Sequence, residues 1–340
     1  MPTDSGQVAT VRSLRKSYPG GVVALDGVDL DLDSNSVTAL TGPNGSGKTT
    51  LLRILAGRLA PTSGTAIVLG VDPAASSSLL RRRLSFVSQE LALDPEMTGA
   101  QTLRLFAVLY GLPRGSIGAR VDELARSLEL MGHLAMPVHA YSGGLRRRLH
   151  LALGLLQEPE LLLLDEPTAG LDPAGRAFLW GLLKRLAERS RSVVVITHDL
   201  GEVERHCDRV AVMLGGKILA FSSPQVVVRQ HARRMLQIEL AEDVAATDTR
   251  LANLRQILGA KFLAVQRTKL SVQLDDPHSE LDRILAMLAA QHLEARAFQV
   301  HEPDLATAYF GLTGVSAEEP PTRRGEPGAG RRRGENGEPG

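Results

Sequence analysis

The sequence predicts an α/β protein: a mostly parallel sheet flanked by helices, interrupted by a helical insertion and followed by a smaller α+β unit. Three observations carry this. Apolar runs of strand length, "VTALTG" (37–42), "LLLLD" (161–165) and "SVVVITH" (192–198), alternate with amphipathic helical stretches. The runs are continuous rather than alternating, as expected for parallel strands covered on both faces. Beyond them, residues 235–313 follow the order strand, helix, strand, strand, helix, strand.

Each element has a local reason. The N-terminal "VATVRSLRKSY" reads as a strand. "VTALTG" ends in a Gly-rich turn, and the helical "TTLLRILAGRL" (49–59) follows until Pro61 stops it. "AQTLRLFAVLYGL" and "ARVDELARSLELM" make residues 100–135 largely helical. "DRVAVMLGGKILAF" (208–221) predicts a hairpin around Gly215 and Gly216. In the second unit, "MLQIEL", "KFLAVQ", "KLSVQL" and "EARAFQV" are strands, and "DTRLANLRQIL" and "SELDRILAMLAAQ" are helices. That order is the split βαβ, or ferredoxin-like, arrangement. The stretch 315–340 is rich in Gly, Pro, Glu and Arg and cannot offset its ordering entropy, so it is expected to be disordered. The expected division is 1–231, 232–314 and a tail at 315–340.

Bulk composition narrows the class. The 340 residues are 43% hydrophobic and 23% charged, with a net charge of +1. Such a chain can bury a real core, and nothing global points to nucleic acid. The single cysteine, Cys207, makes no internal disulfide and fits a reducing compartment. No apolar run approaches the roughly 20 residues of a membrane helix, and "MPTDSGQ" predicts no secretory leader. A role at a membrane therefore has to work through a partner.

"GPNGSGKT" (42–49) is a P-loop, G-x-x-x-x-G-K-[ST], set between a predicted strand and a predicted helix. Gly42, Gly45 and Gly47 let the backbone turn tightly and bring its N–H groups to phosphate oxygens. Pro43, Asn44, Ser46 and Thr50 complete the cradle, and the helix start beyond it favours an anion. Lys48 is expected to reach the β- and γ-phosphates, and Thr49 to bind Mg²⁺ through its hydroxyl. "LLLLDEP" (161–167) delivers two carboxylates at the end of a buried strand, where open α/β sheets bind ligands. Asp165 is expected to hold Mg²⁺ through water, and Glu166 to orient or deprotonate an attacking water. His198, ending "VVVITH", is a candidate to donate to the γ-phosphate or hold that water. Gln89 in "FVSQE" is a candidate for the metal or the water, and Tyr18 in "KSYPGG" for stacking on adenine. Taken singly, these last three read as ordinary polar or surface residues.

"YSGGLRRRLH" (141–150) predicts a second helix start suited to an anion. Taken together and in this order, the motifs resemble the ATP-binding cassette (ABC) ATPase family over about residues 7–230. Tyr18 matches the adenine-stacking position, "GPNGSGKT" Walker A, Gln89 the Q-loop and "YSGGL" the signature. "LLLLDE" matches Walker B, "AGLD" (169–172) the D-loop and His198 the H-loop. The resemblance implies a RecA-like core with an antiparallel β subdomain and a helical subdomain. It also implies ATP and Mg²⁺ as ligands, and two cassettes packed head to tail around two ATP molecules. Ser142, Gly143 and Gly144 would then bind the γ-phosphate held by the other protomer, with Asp172 close by in the D-loop. Leu145 stands where Gln is most frequent. Together with Tyr141 and "GLDP" this looks like the ABC-2 type exporter branch, which includes the daunorubicin-resistance-like ATPases. "EPDLATAYFGLTG" (302–314) is similar to the ending of such subunits, although Ala306 and Thr307 stand at its acidic positions.

The resemblance implies an ATPase subunit, most simply a homodimer, on the cytoplasmic face of the membrane. It would drive export through separate integral-membrane ABC-2 permease subunits docked near residues 87–112. The other function weighed is a soluble ABC ATPase acting on ribosomes or DNA. Ribosome-acting members resemble two cassettes on one chain, and DNA-repair members carry coiled coils or zinc modules; this chain has one cassette and neither insertion. Two weaker patterns remain. His198, Glu202 and His206 are spaced like metal ligands on a helix, yet "LGEVERHC" reads as an ordinary amphipathic helix. "RRR" at 81–83 and 146–148 lacks interleaved aromatics, so solvated charge or contact with an acidic partner is expected rather than nucleic acid, and the triplet at 331–333 is expected to belong to a solvated tail, with anionic headgroups as the alternative contact.

Overall fold

The computed structural model describes residues 6–75, 77–88, 93–244, 248–259, 262–274 and 277–314. Gln89 and the tail from 315 onward lie outside the described residues. Strands β1 (Gln7–Ser17) and β2 (Val23–Asp33) pair antiparallel, and with β4 (Ser63–Val68) they form a three-stranded sheet in the order β2-β1-β4. The main sheet contains β3 (Val37–Thr41), β5 (Leu84–Val87), β6 (Leu161–Asp165), β7 (Ser192–Ile196), β8 (Arg209–Leu214) and β9 (Lys217–Ser222). Its order is β5-β6-β7-β3-β8-β9, parallel except for the β8–β9 hairpin that turns at Gly215 and Gly216.

Every residue of β3, β6 and β7 is buried. Side chains alternate between two cores because successive Cβ atoms of a strand point to opposite faces. Leu161 and Leu163 join one core, with helix α1 (Lys48–Leu55) and the three-stranded sheet. Leu162 and Leu164 join the other. That second core is covered by α3 (Gly99–Leu109), α4 (Arg114–Ser127), α5 (Gly143–Leu155), α6 (Pro173–Glu188), α7 (Leu200–His206) and α8 (Pro224–His231). A short α2 (Ser77–Arg83) leads into β5. The helical insertion starts from a capping box: Gln101 N–H donates to Thr98 Oγ1 at 3.2 Å, and Thr98 N–H donates to Gln101 Oε1 at 2.8 Å.

After α8 come β10 (Arg234–Leu240), α9 (Thr249–Leu258), β11 (Phe262–Gln266), β12 (Lys269–Leu274), α10 (Pro277–Ala290) and β13 (Ala295–His301). The sheet order is β11-β12-β10-β13, all antiparallel, which is the ferredoxin-like order. Leu236, Ile238, Leu251, Leu254, Leu270 and Val272 form its separate core.

The last helix, α11 (Leu305–Thr313), behaves differently from its place in the 232–314 unit. It packs on α7 and α8, and Leu305, Ala308 and Tyr309 belong to the core of the main sheet. Burial of a leucine such as Leu305, 0% exposed, contributes about 1.5–3 kcal/mol. Asp304 caps α11 and Thr307 closes the reciprocal bond: Thr307 N–H donates to Asp304 Oδ1 at 2.7 Å and Asp304 N–H donates to Thr307 Oγ1 at 2.9 Å. A hydroxyl thus does at this helix start what an acidic side chain does in a capping box.

Candidate functional site

The carboxyl ends of β3, β6 and β7 converge, and each delivers one piece of a single site. β3 runs into the P-loop. Gly42 there has φ 153°, and a Cβ would stand 2.2 Å from the carbonyl oxygen of Met213. Gly47 has φ 103°, and a Cβ would meet the carbonyl oxygen of Ala24 at 2.3 Å. Only glycine fits at either position. Gly47 is also the N-cap of α1 and offers no side-chain acceptor, so the first N–H groups of the helix are left for a ligand. Ser46 is 2% exposed, so its hydroxyl is turned into the protein.

Lys48 is 6% exposed, and its Nζ donates to the carbonyl oxygens of Gly42 at 2.7 Å and Pro43 at 3.0 Å. Burial lowers its pKa, and Glu166 and Asp165 pull it partly back. Thr49 Oγ1 donates to Asp165 Oδ2 at 3.1 Å. Burial raises the Asp165 pKa, opposed by the Thr49 bond. Glu166, next along, has a left-handed backbone at φ 51°, and its Oε1 lies 2.7 Å from His198 Nε2. Asn44, Gly45, Gly47, Lys48, Thr49 and Thr50, with Asp165, Glu166 and His198, line one cavity of about 610 Å³. Tyr18 lines the adjoining cavity with Thr49 and Asp165, and its hydroxyl lies 3.4 Å from Thr50 Oγ1.

The second helix start lies elsewhere. Ser142 is the N-cap of α5, and its Oγ accepts from Leu145 N–H at 3.2 Å. Behind it Tyr141 is buried and its hydroxyl donates to the carbonyl oxygen of His133 at 2.7 Å. Ser142 and Gly144 line a separate cavity of about 470 Å³, together with Asp172 and Phe178. The Asp172 carboxylate caps α6, accepting from Gly175 N–H at 2.8 Å. The structure therefore brings the P-loop, Asp165, Glu166 and His198 together, and it holds Ser142, Gly144 and Asp172 apart from them.

The structure also places the two weaker patterns, and "LGEVERHC" forms the expected helix α7. His198 is taken up by Glu166, while His206 stacks on Trp180, ring centroids 5.5 Å apart, and lies 3.1 Å from Glu202. No group of three metal-type side chains occurs among the described residues. The arginine triplets at 81–83 and 146–148 are not simply solvated, and the one at 331–333 lies outside the described residues. Arg83 forks onto Glu160 at 2.6 and 2.8 Å, and Arg148 pairs with Glu129 over the Phe178 ring. Arg147, which motif reading passed over, turns inward to the carbonyl oxygens of Asp165, Glu166 and Pro167.

A family model described as "ABC transporter" matches residues 25–169. The chain is 32% identical over 94% of its length to the daunorubicin/doxorubicin resistance ATP-binding protein DrrA of Streptomyces peucetius, covering 96% of that protein. It is 35% identical over 90% of its length to the daunorubicin resistance ATP-binding protein DrrA3 of Streptomyces coeruleorubidus, covering 95% of it. Among solved structures, a dimeric ATP-binding cassette in a post-hydrolysis state with ADP and Pi superposes with a TM-score of 0.59 at 25% identity. The match covers 63% of this chain and 98% of that one. With its P-loop, paired carboxylates and signature helix in this order, the chain belongs to the ABC transporter ATP-binding proteins, as an ATPase of the ABC-2 exporter branch.

Proposed function

We propose that two copies of this chain close head to tail around two ATP molecules and drive export through separate ABC-2 permease subunits at the cytoplasmic face of the membrane. The observation that carries this is the separation of the two anion-binding ends. Within one chain Ser142 and Gly144 line a different cavity from Lys48 and Glu166, so the site is completed by a partner copy. The dimeric cassette found among similar structures supports that arrangement.

In this reading Lys48 and the first N–H groups of α1 bind the β- and γ-phosphates. Tyr18 stacks on the adenine. Glu166 takes the proton of the attacking water, and His198 holds the Glu166 carboxylate and the γ-phosphate in register. Thr49 Oγ1 and Asp165 Oδ2 are hard oxygen donors 3.1 Å apart at one cavity wall, which fits Mg²⁺. When bound, that ion neutralises charge across the phosphate oxygens. Ser142 and the α5 N-terminus grip the γ-phosphate of the partner's ATP.

Docking to a permease is supported by α3 and its C-cap, where Leu105, Val108, Leu109 and the C-cap Tyr110 are 43%, 55%, 67% and 38% exposed. That apolar surface suits a cytoplasmic segment of a membrane protein. No helix among the described residues is long and apolar enough to cross a membrane.

The test is Glu166→Gln in the purified protein. Turnover should fall by about 10²–10⁴, while ATP should now drive a stable dimer seen by light scattering. Adding Ser142→Arg should abolish that dimer. A Glu166→Gln protein at wild-type turnover removes Glu166 as the base, and dimerisation that survives Ser142→Arg removes the sandwich.

A further inference from the structure

Arg146 and Arg147 are neighbours on α5, yet they face different surroundings. Arg146 is exposed, whereas Arg147 is half-buried and points at the turn after β6. Its Nε donates to the carbonyl oxygen of Pro167 at 2.8 Å, and its Nη2 donates to that of Asp165 at 3.2 Å and to that of Glu166. One guanidinium thus gathers three successive carbonyls. A lysine, with its point charge, cannot span them in the same way.

This turn carries both carboxylates of the site. Glu166 adopts a left-handed backbone, φ 51°, which non-glycine residues keep only where surrounding contacts hold them there. Arg147 supplies such contacts from behind, and its charge faces Glu166 and Asp165 across the turn. The other end of the same helix is Ser142, less than two turns away. A movement of α5 on engaging a phosphate is therefore passed directly to the backbone that aims Glu166.

We propose that Arg147 is a positioning residue that couples, within one chain, the Ser142 end of α5 to the Asp165–Pro167 turn that directs Glu166. The partner's ATP, gripped at Ser142 and Gly144, would thereby set the geometry of hydrolysis in the chain's own site. The coupling rests on the roles given above to Ser142, Gly144 and Glu166.

The experiment compares Arg147→Ala, Arg147→Lys, Arg146→Ala, Ser142→Ala and the double variant Ser142→Ala/Arg147→Ala in the full chain. Steady-state turnover and equilibrium nucleotide binding are both measured. Arg147→Ala should lower kcat by about ten- to a hundredfold, since small misplacements of reacting groups cost that much. Nucleotide affinity should change by less than about twofold, because Lys48 and the P-loop are untouched. Arg147→Lys should recover part of kcat, and Arg146→Ala should behave as wild type. The double variant should lose no more than the worse single, as expected for two residues acting through one path. Wild-type kcat in Arg147→Ala overturns the proposal, as does a matching loss of nucleotide binding. Losses that multiply in the double variant overturn the coupling alone. Ser142→Ala at wild-type turnover would instead strike the γ-phosphate reading, and the coupling would fall with it.

Discussion

Lys48 and Ser142 both stand at helix N-termini, yet they are built into the protein in opposite ways. Lys48 is 6% exposed and bonded to two P-loop carbonyls, and its neighbours are tied to one another through Thr49–Asp165 and Glu166–His198. Ser142 and Gly143 lie open to solvent, with the Ser142–Leu145 bond organising the turn. One half is held in shape by its own chain. The other is a solvent-facing helix start whose first N–H groups are open to an anion from outside. The difference predicts that damage to the first half shows in nucleotide binding by a single chain, and damage to the second only when two chains meet.

Lys48→Ala should break this comparison most severely. A hydrogen bond to a charged group is worth about 1.5–3 kcal/mol, so losing this donor should weaken nucleotide binding roughly ten- to a hundredfold in equilibrium dialysis. The melting temperature should not fall in parallel. Burial lowers the Lys48 pKa, so the folded state disfavours its charge relative to the unfolded chain, and at neutral pH that charge costs stability. A large drop in melting temperature with intact nucleotide affinity would make Lys48 a strut of the P-loop and not a phosphate ligand.

Asp165→Asn sharpens the same half with a smaller effect. Burial raises the Asp165 pKa. A carboxyl whose folded pKa is raised contributes stability below its unfolded pKa and loses it as pH rises through the folded one. Burial thus disfavours the carboxylate form, and a divalent cation bound there would relieve that penalty. Adding Mg²⁺ together with ATP should therefore raise the melting temperature of the wild type more than that of Asp165→Asn. Equal shifts would place the metal elsewhere.

Much of the P-loop half could be read in the chain because each piece is local. A continuous apolar run announces a buried strand, and the residues just past it are the chemistry: Gly42–Thr49 after β3, Asp165 and Glu166 at the end of β6, His198 after β7. From its own residues the signature half was legible only as a helix start suited to an anion, and its expected role came from the family resemblance. That Arg147 turns inward while Arg146 turns out depends on a β6 turn that arrives nearly twenty positions later, and no spacing within "RRR" encodes it. The same holds for α11. Its sequence was legible only as a family-like ending, and although chain order sets it beside β13 its partners are α7 and α8. His198 fitted two patterns, a helix-spaced metal set and a phosphate contact, and the structure seats its Nε2 2.7 Å from Glu166 Oε1 at the P-loop cavity.

Acid should separate the two halves by sign, and this is the smallest effect of the series. His150 lies on α5 with Nδ1 buried and without a hydrogen-bond partner among the described residues. Its pKa is lowered from 6.5 to about 4, first by burial and then by Arg147 and Arg146. A base with a depressed folded pKa leaves the unfolded chain to take up the proton first, so the folded state loses ground as pH falls from 6.5 toward about 4. Asp165, with its raised pKa, works the other way and favours the folded state as the carboxyl protonates. The melting temperature of His150→Gln should therefore fall less than that of the wild type between neutral pH and about pH 5. Asp165→Asn, by contrast, should fall more steeply than the wild type as pH drops toward 3.8. Parallel curves for all three proteins would mean that neither group senses its half of the site, and that the acid response arises in the scattered surface pairs instead.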